Sequence, residues 1–210
     1  MKMIKRIALI ALAILLAALY SYGVWPRAIY NTDIGANSYE NTGALSAGKV
    51  LTQKFVCTDT GMCGLKLKLT KQESQTIGNY EWTLENVKTG KEIANGVIDE
   101  VSTENREFVS ASAQKRGNIE LNFDRQEDSK GQEYVLTIQS SDVEEGQTMA
   151  VYMTQKGKSE TEMTLAGENV DRASVIKVEY KRFNVENFIV FLGIVVYLVL
   201  FVKFMYKLFR

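Results

Sequence analysis

The sequence predicts an all-β sandwich held outside the cell and flanked by two transmembrane α-helices. Three observations predict it. Each end carries a long, apolar, almost chargeless run; period-two alternation fills the centre; and Gly-containing turn motifs separate the alternating runs at short spacing. A jelly roll is one winding such a sandwich takes.

The first run, residues 7–25, holds 19 residues without a charge. As a helix it reaches roughly 28 Å, against about 30 Å for the hydrocarbon core of a bilayer. A cleaved signal peptide, with Ser21 and Gly23 at its small-residue positions, is the rival reading. The length of the run and the bulky Tyr20, Tyr22 and Trp25 at its end favour a retained anchor and an interfacial aromatic belt. The second helix is expected over residues 187–206. Its centre, Phe188 to Val202, is rich in Phe, Ile, Leu and Val, each contributing about −0.3 to −0.6 kcal/mol to insertion. It extends to Tyr206 if Lys203 snorkels its ammonium to the interface.

Charge sets the orientation. No Asp or Glu precedes Asp33 or follows Glu186, while Lys2, Lys5 and Arg6 lie at one end and Lys203, Lys207 and Arg210 at the other. Positive flanks stay inside, so tails 1–6 and 207–210 are expected in the cytoplasm and the centre outside. The chain carries 25 basic and 25 acidic residues; removing those six cations leaves 19 basic against 25 acidic between the spans, a net of −6. The linear sequence has no basic stripe, so a nucleic-acid partner is not expected. His is absent, which removes the commonest general base and metal ligand.

Residues 26–48 are polar, rich in Gly, Asn and Ser, and read as a linker. The sandwich is expected over 49–182. Leu65, Leu67 and Leu69 alternate with Lys66, Lys68 and Thr70; Tyr80, Trp82 and Leu84 with Glu81, Thr83 and Glu85; Ile119, Leu121 and Phe123 with polar residues. Tyr134, Leu136 and Ile138 follow the same rule, as do Met149, Val151 and Met153, then the run from Val175 to Tyr180. Less regular runs at 50–56, 92–99 and 107–113 bring the expectation to about nine or ten strands. Turns are expected at 88–91, 115–118, 129–132 and 144–147, each built on a Gly.

Candidate chemistry is sparse. Cys57 and Cys63 form either a small-loop disulfide, plausible outside the cell, or two reduced thiols packed as small hydrophobes. Asp124, Glu127 and Asp128 offer oxygen ligands to calcium, or make a solvated loop, and their spacing fits no calcium-loop pattern. Trp82, with Tyr80, is a sugar-stacking platform or core; alternation with Leu84 favours core. Tyr152 falls on the opposite face from Met149, Val151 and Met153 and is the better exposed aromatic. No nucleophile motif, phosphate loop or cofactor signature occurs, so a non-enzyme without cofactors is expected.

Three blocks carry a resemblance: LTQKFVC at 51–57, GMCGLKLKL at 61–69 and FDRQEDSKGQEYVLTI at 123–138. They resemble a β-sandwich module found beside membrane spans in Gram-positive surface-polysaccharide proteins, including multi-span membrane glycosyltransferases. The blocks look like an opening strand, a Gly-containing turn into a strand, and an acidic "DSxGxxY" turn into a strand. The resemblance covers about half of the chain, brings no catalytic residues, and implies an accessory role. The expected function is therefore an accessory protein of envelope glycan assembly, docking with a polytopic membrane partner through small residues such as Ala8, Ala11, Ala18 and Gly193. A cell-wall carbohydrate-binding module is the alternative, as is a sensor acting through a partner because both tails are short.

Overall fold

Alternation becomes sheet in the computed structural model, which describes residues 2–72, 76–104, 116–144 and 146–209. The strands are β1 (Tyr22–Ala28), β2 (Glu40–Asn41), β3 (Val50–Val56), β4 (Met62–Gln72), β5 (Asn79–Asn86), β6 (Lys91–Ile98) and β7 (Asn118–Gln126). They continue as β8 (Glu133–Asp142), β9 (Thr148–Thr154), β10 (Thr161–Leu165), β11 (Glu168–Val170), β12 (Ala173–Ser174) and β13 (Ile176–Phe183). One sheet runs β1-β13-β4-β9-β12, with β7 also on β4 and β2 on β9; the other runs β11-β10-β3-β8-β5-β6. The pairs β3–β8, β3–β10, β4–β7, β4–β9, β4–β13 and β5–β8 are antiparallel. The strands of two or three residues raise the number above the nine or ten expected, because pairing adds short segments that are too brief to alternate. The expected strand at 107–113 lies outside the described residues.

The chain forms two compact units, one of Pro26–Tyr180 and one of Met1–Trp25 with Lys181–Arg210. In the first, the inward residues meet in one core: Leu51 and Phe55 of β3, Leu65 and Leu67 of β4, Tyr80, Trp82 and Leu84 of β5, Leu136 and Ile138 of β8, and Ile176 and Val178 of β13. Gln53 interrupts this apolar layer, fully buried on β3. Its amide donates to the carbonyl of Glu162 (3.0 Å), and its oxygen accepts from the N–H of Ser174 (2.8 Å), joining β10 of its own sheet to β12 of the facing one. The turns expected at 88–91 and 129–132 are present, and of those expected at 115–118 and 144–147 residues 115 and 145 lie outside the described residues. At Gly90 (φ +65°) and Gly131 (φ +74°) the backbone enters the left-handed region that a side chain resists.

Residues 26–48 correct the sequence reading, because they dock on the sandwich instead of linking. Leu45 is buried in the core; its N–H donates to the carbonyl of Met149 (2.9 Å), and its carbonyl accepts from the Tyr80 hydroxyl (2.8 Å). Thr42 hydrogen-bonds β9 at Val151 through both its N–H and its hydroxyl. A short 3₁₀ turn, Ala36–Ser38, sits within the segment. This covering explains why β9 is buried at successive positions from Thr148 to Val151 and does not show the expected alternation. A five-residue helix, α2 (Glu100–Glu104), follows β6, capped where the Asp99 carboxylate accepts from the Ser102 N–H (2.6 Å).

The second unit holds α1 (Lys2–Ser21) and α3 (Val185–Leu208), both long and apolar enough to cross a membrane. α1 stops at Ser21, whose hydroxyl donates to the carbonyl of Ala17 (2.7 Å), so Tyr22 and Trp25 begin β1 and do not extend the helix to residue 25 as expected. Asn184 caps α3 by accepting from the N–H of Asn187 (3.1 Å). α1 and α3 touch through the rings of Tyr20 and Phe191, 5.5 Å apart.

Candidate binding groove

Because Leu65, Leu67, Ile176 and Val178 point into the core, the intervening residues of β4 and β13 face out. The register sets Lys66 directly opposite Lys177 across these two strands. On its other side Lys66 lies opposite Glu120 of β7. The Lys66 ammonium pairs with Glu179 (2.7 Å) and Glu120 (3.0 Å), both mostly buried. Burial alone depresses the Lys66 ammonium, but hydrogen bonds and charge from the two carboxylates outweigh it and hold its pKa above the ordinary value. Gly64 makes room for this cluster: a Cβ there would come within 3.1 Å of Asn122 Oδ1 and 3.2 Å of Glu179 Oε2.

Beside the cluster opens a groove of about 410 Å³, lined chiefly by Tyr30, Tyr39, Lys66, Lys68, Arg116 and Lys177. A second groove of about 600 Å³ shares Tyr30 and Lys177 and adds Arg27, Asp33, Lys156 and Lys158. Tyr30 and Tyr39 meet edge to face, their ring centres 5.9 Å apart. Burial, reinforced by Tyr39, pushes the Tyr30 phenol above its usual range, so it stays neutral. The Lys68 ammonium donates to the carbonyl of Arg116 (2.7 Å) and lies 5.3 Å from the centre of the Tyr152 ring. Arg27 pairs with Asp59 and Lys156 with Asp171, whereas the Lys158, Lys177 and Arg116 side chains make no ion pair among the described residues. The arrangement concentrates fixed positive charge beside aromatic rings. It offers no nucleophile held by a base.

The residues singled out from the sequence lie elsewhere or serve the fold. Trp82 is 6% exposed and belongs to the core, its indole packed under Gly96 of β6. Tyr152 is half-buried in a small outer cluster with Tyr30, Ala173 and Val175, so it is no bare platform. Asp124, Glu127 and Asp128 do not converge. Glu127 pairs with Arg125 (2.6 Å), and among the described residues no three His, Cys, Asp or Glu side chains are placed to share a metal ion. Their loop is held instead by Ser129, whose buried hydroxyl accepts from the N–H of Met62 (3.1 Å) and donates to the carbonyl of Asp59 (3.0 Å).

No disulfide joins Cys57 and Cys63. Met62, not Cys63, occupies the core position beside Cys57, its sulfur 3.4 Å from the Cys57 thiol. Cys63 is half-buried where a register shift interrupts the pairing of β4 with β7. Burial pushes the Cys57 thiol up to about 12, with Asp59 adding to the rise and a hydrogen bond to Tyr180 opposing it.

The groove was not legible as a basic stripe. Its cations come from residues 27, 66, 68, 116, 156, 158 and 177, far apart in sequence. Two local signals point toward it: Lys-Leu-Lys at 66–68 on the wet face of a strand, and Lys-Gly-Lys at 156–158. Compared with known protein families and with characterised proteins, the chain matches none.

Proposed function

We propose that this chain is a non-enzymatic, membrane-anchored accessory protein of cell-envelope glycan assembly. Both termini lie in the cytoplasm, the sandwich stands on the outer side, and the helices dock with a polytopic membrane partner. One observation carries the anchoring: α3 spans 24 residues and none of its side chains is buried by the chain's own fold. Ile189, Leu200 and Phe204 are about 60% exposed, whereas the sandwich leaves its large core residues near zero. An apolar helix with this much bare surface finds its favourable solvent in lipid. Lys and Arg at both outer flanks support the orientation. The accessory role follows from the resemblance to the juxtamembrane module of surface-polysaccharide proteins. The finer description of the sandwich as a jelly roll draws support from its winding, since the chain changes sheet between β3 and β4, β4 and β5, β6 and β7, β7 and β8, and β8 and β9.

A partner within the membrane is supported by the open face of α3. A Cβ at Gly193 would meet nothing within 4 Å, and Ala8 and Ala11 of α1 are exposed. Notches of small residues let a further helix approach closely. Protease added to spheroplasts should digest the sandwich, while a tag at Arg210 stays protected. A photo-reactive residue at position 193 should crosslink to a multi-span glycosyltransferase or flippase. A protected sandwich, or recovery of the chain alone at several detergent strengths, refutes the reading. The groove favours glycan binding by the same domain as the second reading.

A further inference from the structure

We propose that the neighbouring grooves lined by β4, β13 and the segments 26–33 and 156–159 bind an anionic glycan, their cations holding carboxylate or phosphate groups and the half-buried Tyr39 packing on a sugar ring. The identity of the ligand as a glycan rests on the accessory reading above; its charge rests on the grooves themselves. Residues Pro26–Tyr180 carry 17 basic and 24 acidic residues, a net of −7. A lining drawn at random from that unit would be acidic. The two linings instead hold seven cations and the carboxylate of Asp33, and with Asp59, Glu120, Glu179 and Asp171, which pair with Arg27, Lys66 and Lys156, a net of +2 remains. Charge has been sorted onto this face.

Lys66 and Lys177 stand directly opposite each other on β4 and β13, an arrangement of like charges that destabilises a sheet. Glu120 and Glu179 set two carboxylates against Lys66 and so offset that repulsion, while the side chains of Lys177, Lys158 and Arg116 make no ion pair among the described residues. An anion lying along the face supplies the counter-charge that these three cations lack, and a polymer reaches more of them than a single ion. The shape agrees. The grooves share Tyr30 and Lys177 and so lie side by side, within reach of one extended chain. Their volumes lie in the range of small-molecule sites, each roomy enough for more than one anionic group. Tyr39, half-buried at the groove wall and braced edge to face by the buried Tyr30, offers aromatic surface of the kind on which sugar rings pack.

The test uses the full chain in nanodiscs of zwitterionic lipid and fluorescence anisotropy with two labelled probes, an oligogalacturonate and a phosphomannan oligomer. Comparators are a neutral dextran oligomer, polyphosphate and single-stranded DNA. At least one anionic glycan should bind, more weakly as salt rises. The Lys158→Ala, Lys177→Ala double variant should weaken that binding about tenfold. Tyr39→Ala should weaken it by a similar factor while leaving any polyphosphate binding unchanged. Lys88→Ala with Lys91→Ala, on the β5–β6 hairpin of the other sheet, should have no effect, and an unchanged urea midpoint should show that each variant is folded. Failure of both glycans to bind overturns the proposal. So does equally tight binding of dextran, polyphosphate or DNA, or equal loss in the Lys88, Lys91 control. If the sandwich is protease-accessible yet binds neither glycan, the groove falls and the accessory reading stands. If the groove binds glycan but the sandwich proves cytoplasmic, the accessory reading falls alone.

Discussion

Replacing Tyr80 with Phe tests whether residues 26–48 belong to the sandwich. The ring of Tyr80 is fully buried on β5, and its hydroxyl does two jobs. It donates to the carbonyl of Leu45 (2.8 Å) and accepts from the N–H of Met149 (3.0 Å) on the facing sheet. Tyr80→Phe keeps the packing and removes both bonds, leaving the Met149 N–H with no acceptor at its place in the core. A net hydrogen bond is worth about 0.5–1.5 kcal/mol and an unsatisfied buried group costs about 1–3 kcal/mol, so the expected loss is about 2–4 kcal/mol. That is a large share of the roughly 5–15 kcal/mol that holds a domain folded. The assay is urea unfolding of the full chain in mild detergent, followed by the emission of Trp82 in a Trp25→Phe background. The midpoint should fall with little change in slope. A loss below about 0.5 kcal/mol would refute the argument, because it would mean that water already satisfies Leu45 and Met149 and that the segment before β3 is a loose linker.

Two further outcomes follow from the titrating groups. Native protein treated with a thiol reagent near neutral pH should be labelled at Cys63 in preference to Cys57, which should react only on unfolding; peptide mass spectrometry reads the sites. Between the ordinary thiol value of 9.0 and about 12 the unfolded chain loses the Cys57 proton while the folded chain keeps it, so stability should fall with rising pH there, and Cys57→Ala should remove that component of the slope. On the acid side, burial would raise the Glu100 carboxyl, but hydrogen bonds from Lys71 and the Ile77 N–H (2.8 Å) outweigh it and hold its pKa below the ordinary 4.5. Its contribution is therefore present above that value and lost as pH falls through the lower folded value, and Glu100→Gln should flatten this part of a stability–pH curve measured by urea midpoints.

Much of the sandwich was legible because alternation is a local property. Leu65, Leu67 and Leu69, or Tyr134, Leu136 and Ile138, announce a buried face whatever lies across from it, and each is buried. Residues 26–48 were misread for the opposite reason. Ile29, Tyr30 and Leu45 are isolated apolar residues in a polar stretch, and they are buried because distant segments receive them: Ile29 donates to Ile176 of β13, Tyr30 bridges to Lys156, and Leu45 meets Met149 of β9 and Tyr80 of β5. The cysteines illustrate the same limit. Spacing placed them near each other, but the bulge in β4 decided that Met62 and not Cys63 meets Cys57. Tyr152 was rightly placed off the core face, yet the outer cluster around Tyr30 half-covers it.

By itself the sequence determined the two apolar terminal helices, the β class of the centre and most strand positions, since each depends on residues within a few positions of one another. Only the tertiary structure decided where the positive charge gathers. Lys66 and Lys177 are 111 positions apart in the chain, and the antiparallel register of β4 with β13 makes them neighbours. Pairing brings distant, individually ordinary lysines onto one face beside Tyr30 and Tyr39, and a field built that way leaves only the short Lys-Leu-Lys and Lys-Gly-Lys signals in the order of the residues.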